Sequence, residues 1–528
     1  MYNSVVKTGL LTLMAAVMIA CMPLERIDIA KARETSSGVT TEKVSLGQGD
    51  LSEKRETNRL ANGVTHTEIK RGERSPSSYF TIDVGFYETK DETRSTVKKL
   101  REDGYKAWIH SIKGQHYKAT DVPDKVTGHV VRTGKSDGED EAVKLLEKVK
   151  NDGYEKARVT YSEYDGTIKT TGPWEIDVIE INPQKFEGRL TNGLANDQIA
   201  GRETLSSMSK RKNALAAING GYFVVGQQDG VPGDPAGISV MNGQLISESV
   251  GERTSLILSG KDIQIGNVKT NATIMSGKGE NISVDGINRK PGLIRSCGGI
   301  GDEPTINPMH DVTCFDDNEL IQFNRSFSNI TPAGKGFEVI LNESDIVIAT
   351  KNNRGSEIPG QGTVLSATGE KAEWLKKNAV IGEKLSLNNN VSVDGEEIDL
   401  TPDVSMINGA PRLLKNGMKT IPSDKEGFHW SADFFYHFGL YRHPRTLVGV
   451  KENGNILLVT VDGRNPDRSI GINFHESAEL LKSLGAVDGM NLDGGGSTTM
   501  FANDRIVNVP SDKTNERPIA DGIFIVEK

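Results

Sequence analysis

The sequence predicts an α+β protein. A small βαββαβ, ferredoxin-like domain is followed by a larger, mixed α/β domain that is rich in strands. Three observations lead to this expectation. A strand–helix–strand pattern occurs twice between residues 78 and 165. Many short apolar runs follow residue 174, and several end at a glycine or a charged side chain. The 57 glycines among 528 residues supply the turns that such a β-rich body needs.

The N-terminus has the features of an export signal. A lysine precedes the apolar run "GLLTLMAAVMIA" at 9–20, which is too short to span a bilayer. The triplet "AKA" at 30–32 matches a signal-peptidase site. Residues 1–32 are therefore predicted to be a signal peptide, and the mature chain is predicted to have no transmembrane helix.

A second processing route competes with cleavage after "AKA". The run "MIAC" at 18–21 loosely resembles a lipobox, which would place a lipid on Cys21. Met18 is not the residue preferred at that position, so we favour release. The protein is accordingly expected to be secreted or associated with the cell wall.

Composition narrows the function further. Residues 33–77 are polar, have few apolar anchors, and are predicted to be a flexible linker. The formal net charge of −9 and the lack of a basic run argue against nucleic acid as a partner.

The small domain is predicted at 78–165. Alternating apolar residues indicate strands, and amphipathic stretches that end in glycine indicate helices. The predicted strands are 79–86, 105–112, 128–134 and 154–163, and the predicted helices are 90–104 and 140–153. The segments "EDGYKAWI" and "NDGYEKARV" occupy equivalent places in the two halves.

This domain resembles the SPOR family, on its element order, its opening "YFTIDVGFY" and its paired "DGY" turns. The resemblance implies binding to peptidoglycan glycan strands on the face of the sheet. In this chain that face is expected to carry some of Tyr79, Thr81, Asp83, His129 and Arg132. A structural spacer of the same topology is the alternative.

Two cysteines remain once Cys21 is removed or acylated. Cys297 and Cys314 lie 17 positions apart in a polar region. In an oxidising compartment they can form a disulfide, worth roughly 3 kcal/mol by loop entropy. Two free thiols are the alternative.

The large domain is predicted at 174–528, with a β-rich elaboration at about 244–405. Four strand ends carry glycine or charge, and strand ends are where α/β folds collect ligand groups. These four stretches are Asn219-Gly220-Gly221-Tyr222-Phe223, Arg445-Thr446, Asp462-Gly463-Arg464 and Asp493-Gly494-Gly495-Gly496-Ser497-Thr498.

The order and the residue pattern of these stretches resemble those of the phosphodiester glycosidase family, which includes N-acetylglucosamine-1-phosphodiester α-N-acetylglucosaminidase. The matching stretches are "AAINGGYF", "GISVMNGQLIS", "INGAPRLLKNG", "HPRTLVGV", "VTVDGR", "GMNLDGGGSTTM" and "ERPIADGIFI". The resemblance implies hydrolysis of the bond between the anomeric carbon of a sugar and a phosphodiester. The small domain and the stretch at 250–405 lie outside the family's pattern, so the substrate can differ from that of the relatives.

The residue types in these stretches fit a phosphorylated sugar. Arg445 and Arg464 can meet a phosphate with planar donor forks. The backbone N–H groups of Gly494–Gly496 and the hydroxyls of Ser497 and Thr498 can form an anion nest. Asn219, Gly220, Gly221 and Thr446 complete the predicted substrate-binding set.

Glycosidases commonly use two carboxylates. A leaving phosphate is already a stable anion, so one carboxylate with cationic support can suffice. We assign this role to Asp493, with Asp462 and Glu476 as candidates for a second carboxylate. Asp493 can alternatively orient Arg445.

No cofactor is evident from the sequence. No cluster has zinc-ligand spacing, while scattered Asp and Asn oxygens leave a bound Ca²⁺ open. A phosphate-linked carbohydrate of the cell envelope is the expected substrate: teichoic acid, capsule or exopolysaccharide. The competing hypothesis is a wall-binding protein that recognises phosphoglycans without cutting them. A peptidoglycan hydrolase would suit the small domain, but the large domain carries no motif for it.

Overall fold

The computed structural model describes residues 43–113, 126–295, 303–304, 313–428 and 431–528. Strands account for 43% and helices for 16%, which confirms the predicted α+β, β-rich class. The predicted signal peptide and Cys297 lie outside the described residues, as does the side chain of Cys314. No helix in the described ranges is long and apolar enough to cross a membrane.

The small domain has the predicted ferredoxin-like topology. Its sheet is antiparallel, with strands in the order Ala107–Lys113, Val126–Ser136, Phe80–Tyr87 and Arg158–Tyr161. Helices α1 (Thr93–Glu102) and α2 (Glu139–Asn151) follow the first and third strands in the chain. Their apolar stripes pack on one face of the sheet, burying Leu100 and Val149 against Ile82.

The large domain is centred on an eight-stranded sheet, here called the main sheet. Successive side chains point to opposite faces, so its central strands bury apolar residues on both sides. On one face Ile176 and Val178 join the core that continues into the small domain. In spatial order its strands are Glu53–Ala61, Val64–Arg71, Trp174–Ile181, Ile456–Val461, Arg445–Lys451, Ala486–Asn491, Arg412–Lys415 and Met418–Lys419.

The prediction of a flexible linker at 33–77 is wrong for much of its length. Glu53–Ala61 and Val64–Arg71 form a hairpin, and Val64–Arg71 pairs along its whole length with Trp174–Ile181. The polar composition concealed this hairpin because its edge strand is mostly exposed, while the inner strand buries Val64 and Ile69. The small domain is thus inserted between two neighbouring strands of the main sheet.

A five-stranded sheet faces the other side of the main sheet. Ile218 and Ile523 of this facing sheet pack against Ile179, Val448 and Met490 of the main sheet. This packing holds the ends of strands from both sheets close together. The strands of the facing sheet are Arg505–Ile506, Met500–Ala502, Ala216–Asn219, Asp521–Val526 and Arg189–Leu194.

The remaining strands belong to three further sheets in the β-rich part. The largest contains Gln244–Ser247, Ser239–Met241, Val404–Asn408, Thr254–Ser259, Asp262–Met275, Ser386–Val393, Glu396–Ile398 and Asn281–Val284. The second contains Gly286–Ile287, Leu320–Phe323, Gly362–Ala367, Gly334–Asn342 and Val347–Arg354, and the third Leu293–Arg295, Thr313–Phe315 and Glu303–Pro304.

The other helices of the described chain are short. Apart from single-turn 3₁₀ helices, they are α3 (Leu205–Arg211), α4 (Gly369–Asn378), α5 (Ala432–Phe435), a π-helix (Tyr436–Leu440) and α6 (Phe474–Ser483). The capping residue of α6 is Asn473, whose side chain accepts a hydrogen bond from the N–H of Glu476.

The sheet face that was predicted to meet glycan strands is largely covered. Thr81, Asp83 and Arg132 are buried on this face, while His129 is buried on the opposite face, which the two helices cover. Phe435, Tyr436 and Leu440 of the large domain pack on the former face, against Ile112 and Val130 of the small domain. The prediction of an open face is therefore wrong, because the large domain supplies an apolar cover that the small domain's sequence does not reveal.

The hairpin's role in the core can be tested with Ile69→Ala. Ile69 is 1% exposed within the core that both domains share, so truncation should lower the free energy of unfolding by about 2–5 kcal/mol in urea titrations. Lys70→Ala is the matched control, because the Lys70 side chain is 53% exposed. Equal stability of the two variants would contradict this packing and would support the prediction of a flexible linker.

Candidate functional site

The predicted site residues come together because strand ends meet at one edge of the two packed sheets. In the antiparallel main sheet, Arg445 begins its strand opposite Val461, and Leu447 lies opposite Asn491. The start of one strand therefore adjoins the end of its neighbour, which leads directly to Asp493. Asn219 ends a strand of the facing sheet at the same edge.

The buried amide of Asn219 joins these ends. Its Oδ1 accepts hydrogen bonds from the Thr446 hydroxyl at 2.7 Å and from the Thr499 N–H at 3.1 Å. Its Nδ2 donates to the Asp493 carbonyl at 2.8 Å. Asn219 and Thr446 therefore hold the backbone that carries Asp493, rather than lining the cavity as predicted substrate contacts.

A cavity of about 600 Å³ opens at this edge. Basic and acidic side chains lie alongside aromatic ones in its wall. The lining residues are Arg202, Tyr222, Phe223, Val224, Val225, Asp229, Ala236, Phe428, Phe438, His443, Arg445, Arg464, Asp493, Gly494, Gly495, Gly496, Asp512, Thr514, Arg517 and Pro518.

Arg445 is the most enclosed charge in the cavity wall. It is 2% exposed, and its guanidinium donates to the carbonyls of Ile472 and Phe438. Its Cζ lies 4.4 Å from the centroid of the Phe474 ring. Burial lowers the pKa of Arg445 to about 10, so the side chain remains charged at neutral pH.

Arg464 enters the cavity from its exposed rim. Its backbone φ of 60° is unusual for a residue other than glycine, and its Nη1 donates to the Ser511 hydroxyl at 3.4 Å. Burial and the neighbouring Arg517 lower the pKa of Arg464. In the described part of the chain, neither Arg464 nor Arg445 has a carboxylate oxygen within 4.0 Å of its guanidinium.

Arg517 differs from these two arginines because it has an acidic partner. Its guanidinium forms two parallel hydrogen bonds with Asp512, at 2.7 and 3.0 Å. This bidentate pair neutralises both groups. The unneutralised positive charge of the cavity wall therefore lies mainly at Arg445 and Arg464, with the exposed Arg202 nearby.

Close packing and backbone geometry favour glycine at the three positions after Asp493. A Cβ on Gly494 would lie 2.8 Å from the Pro444 carbonyl oxygen, and one on Gly496 would lie 2.1 Å from both Arg517 and Asp512. Gly495 has a φ of 60°. Because glycine has no side chain, the backbone at these positions lies directly against the charged wall of the cavity.

The structure does not support the predicted anion nest. The N–H of Gly494 donates to the Asp493 carboxylate at 2.8 Å, and that of Gly495 donates to the Pro444 carbonyl at 2.8 Å. Ser497 and Thr498 are buried and do not line the cavity. The amides of Gly494 and Gly495 are thus already used within the protein, and the guanidinium groups remain as donors available to an anion.

Aromatic rings form another part of the cavity wall, and the Cζ of Arg445 lies 5.5 Å from the centroid of the Phe438 ring. The rings of Phe428 and Phe438 are nearly parallel, at 7° and with centroids 5.3 Å apart. Tyr222 is fixed by its hydroxyl, which donates to the Ala410 carbonyl at 2.8 Å and accepts from Asn491. A rigid aromatic surface of this kind suits the apolar face of a sugar ring.

Gly220 and Gly221 lie behind Tyr222, outside the cavity lining. A Cβ on Gly220 would lie 2.3 Å from Asp521, and one on Gly221 would lie 2.6 Å from Asn408. These glycines permit close packing that fixes Tyr222, whose N–H donates to Asn408 at 2.8 Å. They are not placed to touch a ligand, contrary to the prediction.

Asp462 and Glu476, the candidates for a second carboxylate, are also absent from the cavity lining. Asp462 accepts hydrogen bonds from the N–H of Val509 and the side chain of Asn508. Burial raises the pKa of Asp462 to about 7. Glu476 is ion-paired with Arg442 at 2.6 Å, and both carboxylates serve to anchor loops or helices.

Asp521 is a buried carboxyl group that the sequence analysis did not single out. Its Oδ1 accepts the N–H of Gly221 at 2.9 Å, directly behind the site. Burial raises the pKa of Asp521 to about 7, and the charge of Asp493 adds to this increase. The stretch "ERPIADGIFI" gave an indication of this buried carboxyl group, since Asp521 begins an otherwise apolar strand.

His443 is a second residue whose position gives it importance. Its Nε2–H donates to the His437 carbonyl at 2.6 Å, in the tautomer that this contact requires. Burial, followed by the charges of Arg445 and Arg464, lowers the pKa of His443 well below its usual value. The ring is therefore neutral and adds no charge to the cavity. In the described ranges no three His, Cys, Asp or Glu residues converge as a metal site.

Comparison with protein families identifies two domains in the chain. A SPOR domain matches residues 76–160, and a phosphodiester glycosidase domain matches residues 335–526. The curated N-acetylglucosamine-1-phosphodiester α-N-acetylglucosaminidase of Bos taurus is 34% identical over 114 residues, and that of Homo sapiens 32% over 114 residues. Each match covers 21% of this chain, and the chain spans only about a fifth of either enzyme.

Longer matches come from proteins without a described activity. An uncharacterised protein of Rickettsia conorii is 26% identical over 265 residues, covering 48% of this chain and 77% of that protein. A crystal structure from Burkholderia pseudomallei, described as that of an exported protein, has a TM-score of 0.84 and 28% identity. It covers 92% of this chain and 98% of the other.

The buried Asp521 gives a pH-dependent prediction. Its folded-state pKa of about 7 exceeds the ordinary aspartate value of 3.8, so the folded state binds the proton more tightly and loses stability as pH rises through this interval. Asp521→Asn keeps the Oδ1 acceptor and cannot ionise. Relative to wild type, its free energy of unfolding in urea should increase between pH 4 and pH 8, by roughly 4 kcal/mol at most.

The exposed Asp504 supplies the control, since Asp504→Asn should leave the pH dependence of unfolding unchanged. Parallel stability curves for wild type and Asp521→Asn would show that Asp521 ionises normally in the folded protein.

Proposed function

We propose that this protein is an exported hydrolase that cleaves the bond between a sugar's anomeric carbon and a phosphodiester in a cell-envelope glycopolymer. One observation carries the proposal. The carboxylate of Asp493 shares a single cavity with Arg445 and Arg464, two arginines without a carboxylate partner in the described chain. The phosphodiester glycosidase domain and its α-N-acetylglucosaminidase relatives support the same chemistry.

The arginines define where the phosphate binds. A charged side chain removed from water needs compensation, and Arg445 obtains only carbonyl and aromatic contacts from the described protein. A bound phosphate would supply the missing negative charge. Guanidinium groups also bind phosphate oxygens in a planar, directional way that a lysine cannot reproduce.

The aromatic side defines where the sugar lies. Tyr222, Phe428 and Phe438 offer ring faces and edges beside Arg445 in the cavity wall. We place the saccharide ring against these residues and the phosphodiester at the arginines. The scissile bond then lies between the two regions, within reach of Asp493.

Asp493 serves as the base in the reaction we propose. It removes a proton from a water molecule whose oxygen bonds to the anomeric carbon. The bond between the anomeric carbon and the phosphate oxygen breaks, and the phosphate leaves with the bonding electrons. Arg445 and Arg464 stabilise the charge that develops on this leaving group. Because the phosphate leaves as a stable anion, the step requires no second carboxyl group as an acid.

The SPOR domain implies peptidoglycan binding, and the exported Burkholderia relative is consistent with an extracytoplasmic location. We propose that the domain concentrates the enzyme at the wall, near teichoic acid, capsule or exopolysaccharide. Since much of its sheet face is covered, glycan strands reach the domain at the partly exposed edge near Tyr79 and Trp108. The Nζ of Lys135 lies 4.1 Å from the centroid of the Tyr79 ring and 5.3 Å from the centroid of the Trp108 ring.

The central prediction concerns Asp493→Asn, which keeps the Oδ1 that accepts the Gly494 N–H. Removal of the base should lower kcat by roughly 100- to 10,000-fold. The assay measures reducing sugar released from sugar 1-phosphodiesters and from purified wall polymer. A protein that binds phosphoglycans without cutting them would release none in the wild-type form.

Asp462→Asn and Glu476→Gln are matched controls. Both carboxylates hold structure outside the cavity, so these variants should retain roughly wild-type kcat when folded. A large loss of kcat in a folded Asp462→Asn protein would instead assign catalysis to that residue.

Arg464→Gln tests the phosphate subsite at its exposed rim. Loss of charge-assisted hydrogen bonds should reduce kcat/KM by roughly 10- to 100-fold. Steady-state kinetics with a sugar 1-phosphodiester, at several salt concentrations, provide the measurement. An unchanged kcat/KM would exclude Arg464 from phosphate recognition.

A further inference from the structure

We propose that the SPOR domain is a positioning part of the catalytic cavity, connected to Arg445 through one segment of the large domain. This bridging segment comprises Ser431–Tyr441 and contains α5 and the π-helix. It lies between the small domain's sheet and the cavity wall. The inference rests on the proposed function only where it predicts changes in kcat and KM.

On one side, the bridging segment is bound to the SPOR sheet. Arg132 donates to the Tyr436 hydroxyl at 3.2 Å and is itself ion-paired with Asp83 at 2.7 Å. All three side chains are buried. The Phe86 ring stacks on Tyr436 with centroids 5.8 Å apart, and the Tyr441 hydroxyl is hydrogen-bonded to Thr160.

On the other side, the same segment forms part of the cavity. The Phe438 ring lines it, and the Phe438 carbonyl accepts a hydrogen bond from the Arg445 guanidinium. The neighbouring carbonyl of His437 accepts from His443 at 2.6 Å. Two cavity residues thus take their orientation from the backbone of the π-helix.

Only one residue separates the two contacts along the chain. Tyr436 faces the SPOR sheet, and Phe438 faces the cavity. Their backbone belongs to a five-residue π-helix, a rare geometry that often occurs at functional sites. Phe438 is also stacked between Phe428 and Phe434, with ring-plane angles of 7° and 12°. A shift at Tyr436 therefore reaches the carbonyl that holds Arg445.

Arg132 and Tyr436 are consequently positioning residues, since neither lines the cavity. Their contact is suited to this task because it is buried and polar. Loss of one partner leaves the other without its hydrogen bond in a site that water cannot easily enter. The SPOR domain then has a second role besides attachment, which is to fix the guanidinium that meets the phosphate.

The test compares Tyr436→Phe with Tyr87→Phe in the full chain. Both changes remove a single tyrosine hydroxyl that contacts the SPOR domain. The Tyr87 hydroxyl is bonded to Thr96 at 2.6 Å, within that domain and away from the bridging segment. Hydrogen–deuterium exchange at residues 437–445, calorimetric binding of inorganic phosphate, and kcat and KM for a sugar 1-phosphodiester are measured for each protein.

We expect Tyr436→Phe to exchange faster at 437–445 and to bind phosphate about 5-fold or more weakly. Its KM should rise by a similar factor, with a smaller change in kcat. Tyr87→Phe should match wild type in all three measurements. If Tyr436→Phe does not fold, Arg132→Lys replaces it, because lysine keeps the charge beside Asp83 but lacks the fork that also reaches Tyr436.

Two results would overturn the inference: variants indistinguishable from wild type, or equal effects of the two tyrosine changes. Failure of the proposed function is recognised separately. A wild-type protein that neither hydrolyses sugar phosphodiesters nor binds phosphate refutes that function, while the exchange measurement still decides whether the SPOR contact controls residues 437–445.

Discussion

The site depends on the buried amide of Asn219, which joins strand ends from two packed sheets. Three hydrogen bonds bring Thr446, Thr499 and Asp493 to one point. Each of these groups is buried at the amide, so a lost partner would cost about 1–3 kcal/mol. This constraint explains how residues more than 200 positions apart present one carboxylate at a fixed place. It also explains why Asn219 is essential to the cavity without lining it.

Around this fixed point the cavity wall carries Arg445 and Arg464, two arginines that have no carboxylate partner in the described part of the chain. Arg517 has Asp512 as a partner, whereas Arg445 is supported by carbonyls and by the ring of Phe474. Such an arrangement is unfavourable in the empty protein and favourable once an anion binds. The adjacent glycines serve the same arrangement, since side chains at Gly494 or Gly496 would collide with the cavity wall. We propose that charge and close packing together favour an anionic ligand in this cavity.

Much of the architecture could be predicted from local pattern. Period-two alternation and glycine stops located the six elements of the small domain, and the motifs around Asp493 and Arg445 located the cavity. Other features depend on contacts between distant segments. The hairpin at 53–71 is polar on its exposed side, so only pairing with Trp174–Ile181 reveals it. Likewise, no local pattern in the sequence shows that the N–H groups of Gly494 and Gly495 donate to protein acceptors, or that Tyr436 covers the SPOR sheet.

The orientation of a bound sugar phosphate would decide whether Asp493 and the two arginines act on one substrate. A crystal structure of Asp493→Asn with a sugar 1-phosphodiester would show it without turnover. We expect phosphate oxygens at the guanidinium groups of Arg445 and Arg464, the sugar ring against Tyr222, Phe428 and Phe438, and the anomeric carbon facing residue 493. A phosphate bound away from these arginines, or a sugar that leaves its anomeric carbon remote from residue 493, would contradict this expectation.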